Sequence, residues 1–134
     1  MSNSKTTGEI LCRTICDITV REVIGSPSAQ QFIQAVEENY RDPTTKFIIW
    51  DFSNGSAAHL SVAEIQGLVG RLRPVAGLRT GGKTALVAPN DLEFGMGRML
   101  EVYREIYEFP FELKVFREVT QALAWIGIDD VDLR

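Results

Sequence analysis

Residues 77–84, Gly77-Leu78-Arg79-Thr80-Gly81-Gly82-Lys83-Thr84, satisfy the phosphate-loop pattern G-x-x-x-x-G-K-[ST] letter for letter. Residues 47–51, Phe47-Ile48-Ile49-Trp50-Asp51, have the form of the strand that supplies an Mg²⁺-linked aspartate to such a loop. Together they suggest nucleotide hydrolysis. A phosphate loop works, however, because it follows a strand and opens a helix, so that loop amides and the helix N-terminus converge on the phosphates. Here the glycines follow a helical pattern and feed a strand. The aspartate strand comes before the loop rather than after it. The order of elements therefore places Lys83 at the N-terminal edge of a sheet, and the glycines read as a helix-to-strand turn that uses positive φ. A nucleotide-binding enzyme built on residues 77–84 is the second alternative, and the one this order disfavours.

Two further groups could do chemistry. Asp51, Ser53, Asn54, Ser56, His59 and Ser61 crowd one polar stretch. A serine nucleophile needs a base in hydrogen-bond reach and an oxyanion hole, and neither is visible here. The G-x-S-x-G elbow is also missing. Gly95-Met96-Gly97-Arg98 contains a lone G-x-G inside a helical pattern, which reads as close helix packing. Arg98 could reach an acidic group near that helix N-terminus, though it reads first as a surface arginine. Cys12 and Cys16 lie four residues apart, about 13 Å on a continuous strand and too far to bridge. His59 is the only histidine. Both cysteines are expected reduced, with no metal, no cofactor and no catalytic residue.

These residues must be held by elements. Residues 9–15 and 18–24 are rich in Ile, Thr and Val and read as a hairpin joined near Asp17. Ser26 with Pro27 is expected to open a helix carrying Ala29, Phe32, Ile33, Val36 and Tyr40 on one face, stopped by Asp42-Pro43. Residues 47–52 are a buried strand. Ser61 and Glu64 have capping-box spacing ahead of a helix that ends at Pro74. Residues 83–88 form the next strand. Asn90 and Glu93 repeat the box spacing, and Leu92, Met96, Met99, Leu100, Tyr103 and Tyr107 line a third helix. Residues 112–116 alternate as a strand, and residues 118–126 close with a helix capped by Gly127. The order β-β-α-β-α-β-α-β-α implies an α/β fold: a mostly parallel sheet of four to five strands with an antiparallel edge strand, covered by helices on both faces.

Composition narrows the function classes. Eighteen acidic residues against 14 Lys and Arg give a formal net charge of −4, so nucleic acid is not an expected partner. The spread Arg71, Arg73, Arg79 and Lys83 reads as solvated surface. The longest apolar run is far short of the ~20 residues of a membrane span. Residues 1–7 are a polar tail without a signal-peptide core, residues 8–128 a single domain, and residues 129–134 an acidic tail; a cytoplasmic location is the expectation. In open parallel sheets, ligands bind beyond the C-terminal strand ends. That points to residues 51–61, to Asn90 and Asp91, and to Arg117, with Arg98 nearby.

Three phrases, IIWDFSNGSAAHLSVAEI, GGKTALVAPNDLEFGMGRM and FELKVFREVTQALAWIG, resemble the STAS domains. These are the anti-sigma-factor antagonists and their single-domain bacterial relatives, close to the Sec-fourteen-like fold group. The resemblance implies a non-enzymatic regulatory or protein-interaction module, with another protein or a second copy as partner. In signalling members a serine at the start of the helix after the third strand is phosphorylated, which corresponds to Ser61 or Ser56. The family's Asp-Ser-Ser-Gly motif has no counterpart, and Ser61 also reads simply as an N-cap. The alternative is a carrier for a small apolar or lipid ligand held between the sheet and the helices at 61–73 and 91–107, near Phe94, Met96 and Met99.

Overall fold

The computed structural model describes residues 7–41 and 46–128. The Asp42-Pro43 stop, the acidic tail and all but the last residue of the N-terminal tail lie outside them. Five strands and four α-helices alternate in the expected order: β1 (Thr7–Ile15), β2 (Ile18–Ser26), α1 (Ala29–Asn39), β3 (Phe47–Gly55), α2 (Val62–Leu72), β4 (Lys83–Val87), α3 (Asp91–Ile106), β5 (Glu112–Phe116) and α4 (Val119–Ile126). A one-turn 3₁₀ helix, Ala76–Arg79, precedes β4.

The sheet order is β1-β2-β3-β4-β5. β1 pairs antiparallel with β2, and the remaining neighbours are parallel. Each parallel crossover thus moves one place in the same direction. Crossovers of uniform hand then drop their helices on one face. Accordingly α1, α2 and α3 pack on the face of Val23, Ile48, Trp50, Leu86 and Val115. The other face carries Ile18, Val20, Ile49, Ala85 and Val87, covered by Ala122, Leu123 and Ile126 of α4. Alternation along β3 and β4, buried on both faces, explains their continuous apolar runs.

Helix starts follow local hydrogen bonding. The first helix does not open at Ser26. β2 runs to Ser26, still paired with β1, and Pro27 is a buried link. Ser28 is the N-cap: its hydroxyl accepts from Gln31 N and the Gln31 side chain accepts from Ser28 N, a full capping box. Ser61 and Glu64 form the expected box at 3.0 and 2.9 Å. Asn90 is the N-cap of α3 but makes no side-chain cap bond, and the Glu93 side chain turns to Ser56 rather than back to the cap. Gly127 closes α4 in the left-handed region. Leu92, read from its spacing as a core position, is 58% exposed.

Candidate functional site

At the C-terminal strand edge the backbone is more ordered than a loop. β3 extends through Ser53 and Asn54 to Gly55, paired with β2 through Ile24↔Asn54 and Gly25↔Gly55. The Asp51 carboxylate accepts from Ser53 N at 2.9 Å, and Asn54 Nδ2 reaches Glu22 Oε2 at 3.5 Å. The His59 ring nitrogen Nε2 is bonded to the Pro27 carbonyl. Asp51 and His59 are therefore each engaged with backbone, and no serine, histidine and aspartate meet in a triad.

Two pairs do come together. Ser56 Oγ donates to Glu93 Oε2 at 2.6 Å and accepts from Ala58 N at 2.9 Å. Arg117 Nη1 donates to Asp91 Oδ1 at 2.8 Å and to the Pro89 carbonyl at 3.0 Å, with its guanidinium 4.1 Å from the Phe94 ring centroid. Arg98 does not reach the N-terminal rim. It pairs with Glu101 one turn along its own helix, at 3.2 Å. Asn90 is exposed, and Ser61 is occupied as a cap.

The phosphate-loop string takes the shape its order implied. Gly77 and Arg79 lie in the 3₁₀ helix, and Gly81 turns the chain with φ +83°. Lys83 opens β4, where its ammonium donates to the Trp125 carbonyl at 2.9 Å and faces that ring. Arg79, expected on the surface, is instead 2% exposed. It donates to Thr84 Oγ1 and the Lys46 carbonyl at 2.7 Å and to the Lys83 carbonyl at 3.1 Å. Its guanidinium lies over the rings of Phe111 and Tyr40. Burial pulls the Arg79 pKa down, opposed by its hydrogen bond to Tyr40. Burial pushes the Tyr40 hydroxyl up, opposed by the same bond.

Open space lies between the sheet and its three-helix layer, where the alternative reading looked for an apolar ligand. A cavity of about 140 Å³ runs along β4 from Thr84 to Ala88. Phe32 and Val36 of α1, Trp50 and Phe52 of β3, Leu60, Leu68 of α2, and Met96 and Leu100 of α3 contribute to its wall, which is almost wholly hydrocarbon. Arg79 and Thr84 bound one end, and Glu93, 8% exposed, lines it beyond Ala88. Met99 and Phe94 do not line it. Because strand order never reverses, the sheet has no switch-point crevice of the kind dinucleotides use. Ligand-sized room therefore sits under the helices rather than at the strand tips. The Asn90–Glu93 spacing had disguised Glu93 as a capping residue, and Arg79 carried no periodicity to mark it as buried.

Among the described residues there is no cluster of three or more metal-ligating side chains. No helix among them is long and apolar enough to cross a membrane. No protein-family model and no curated protein sequence matches the chain. Among solved structures, that of the anti-sigma factor antagonist SpoIIAA in its unphosphorylated form matches with a TM-score of 0.51 at 18% sequence identity, over 89% of this chain and 99% of that one. The strand order, the single antiparallel pair, the four helices and that match together show that this chain has the STAS fold.

Proposed function

We propose that the protein is a non-enzymatic regulatory module that binds another protein through residues 53–61 and the start of α2. The observation that carries this reading is at the rim. Val62, the first residue of α2, and Leu92, the second of α3, are 61% and 58% exposed at the same sheet edge. Two bare aliphatic side chains at one edge would give a partner an apolar contact beside the polar loops. The shared fold with an anti-sigma factor antagonist supports the same reading.

Ser61 is the residue through which such a surface would be switched. Its hydroxyl is exposed at the N-terminus of an 11-residue helix, where free amides and the dipole favour a phosphate. The Glu64 carboxylate, now bonded to Ser61 N, would be displaced by it. Ser56 is the poorer acceptor, since a phosphate there would face the Glu93 carboxylate that its hydroxyl now contacts. The test is affinity purification from the native host, with wild-type protein and a Val62→Asp/Leu92→Asp variant of verified fold, combined with intact-mass measurement. A specific partner held by the wild type and lost by the variant is expected. A partner retained equally by both, or none under any growth condition, removes this reading.

A second reading has its own observation. A space of about 140 Å³ with an almost wholly hydrocarbon wall leaves apolar side chains without packing partners. A bound small apolar molecule would supply those contacts. Native mass spectrometry of freshly purified protein should then show a small-molecule adduct.

A further inference from the structure

We infer that the cavity recognises a small organic ammonium: a compact hydrocarbon body whose amine is held by Glu93. The inference rests on the ligand reading of the cavity and adds the chemistry of what enters it.

The body follows from size and lining. A dry apolar cavity of about 150 Å³ accepts one benzene ring, and this one measures about 140 Å³. Phe32, Trp50 and Phe52 form a continuous aromatic wall, with ring centroids 6.2 and 6.3 Å apart. Aromatic faces favour cations as well as carbon.

The head group follows from the two ends. At the far end, the Arg79 guanidinium is spent on Thr84 and on two backbone carbonyls. An anionic head would have to displace those bonds. Beyond Ala88 stands Glu93, more than nine-tenths buried, with one described partner. Ser56 satisfies Oε2, and Oε1 has no donor among the described residues. A buried carboxylate oxygen left without a donor calls for one. Its position in the first turn of α3 would ordinarily send it back to the N-cap amide. Instead the carboxylate bonds Ser56, and Glu93 lines the cavity.

The experiment titrates the full chain with benzylamine, toluene and benzoate, three probes sharing one ring, and follows amide and indole NMR shifts. Benzylamine is expected to move Trp50, Ser56 and Ala57 and to bind at least tenfold tighter than toluene, with benzoate weakest. Glu93→Gln should reduce benzylamine affinity about tenfold while leaving toluene binding unchanged. That unchanged binding also reports an intact cavity. Ser56→Ala, which leaves the carboxylate in place, should retain benzylamine binding. If toluene and benzylamine bind alike, Glu93 is no recognition group and the inference fails while the apolar-ligand reading stands. If no probe binds, both fail.

Discussion

Gly95 and Gly97 occupy the same helix two residues apart and should respond to alanine with opposite sign. A β-carbon at Gly97 would stand 2.6 Å from the Val115 side chain of β5, whereas one at Gly95 meets nothing within 4 Å. We expect Gly97→Ala to lower stability by about 1–3 kcal/mol through overpacking. Gly95→Ala should raise it by up to about 1 kcal/mol through helix propensity. Urea midpoints of the two variants check both. The hairpin turn is a second residue-scale case. Cys16 and Asp17 have φ of 50° and 67° between Ile15 and Ile18, and two-residue turns with both φ positive favour Asn-Gly. Replacing the pair by Cys16→Asn/Asp17→Gly should stabilise by about 1 kcal/mol, read as a higher melting temperature. The G-x-G spelling was legible as helix packing, but spacing alone does not say which glycine touches a strand. Nor did Cys16-Asp17 spell a left-handed turn, since neither residue is the usual choice there.

At the scale of elements, the space between sheet and helices is the feature to probe. Ala57, buried in its wall, is the position from which one more carbon pair would enter that space. Ala57→Val should stabilise by about 0.5–1 kcal/mol and weaken binding of any probe there, measured by denaturation and by titration. The elements themselves were readable because β3 and β4 are apolar on both faces and α2 carries its own capping box. Boundaries failed where two signals competed. Ser26-Pro27 resembles a helix start, but the β1–β2 ladder continues through Ser26 and leaves capping to Ser28. Glu93 had cap spacing, yet Ser56, 37 residues away, decided where its carboxylate went. The cavity was legible in part. Its place between the sheet and α2 and α3 followed from the alternation of elements, but α1, Arg79 and Glu93 join it only through long-range packing.

For the whole molecule, the two sheet faces are unequal. Three helices cover one and the eight-residue α4 covers the other. Ending the chain at Glu118 should therefore bare Ile18, Val20, Ile49, Ala85 and Val87. The truncated protein is expected to bind a hydrophobic dye strongly and to lose soluble yield. The sheet edges are unequal too. On the β5 edge, Glu101 accepts from Val115 N at 2.8 Å and Arg104 donates to the Phe111 carbonyl at 2.7 Å. Side chains of α3 thus take up backbone groups that would otherwise template another strand. That arrangement disfavours association through β5 and leaves β1 the more open edge.

Strand order that never reverses also has a consequence in time. Each strand pairs with the strand made just before it, so growth of the sheet needs no wait for a distant segment. On a ribosome, the sheet could assemble one crossover at a time as the chain emerges. Only α4, made last, closes the second face. Stalled nascent chains should accordingly gain protease resistance stepwise, at the lengths that release β3, β4 and β5 from the exit tunnel.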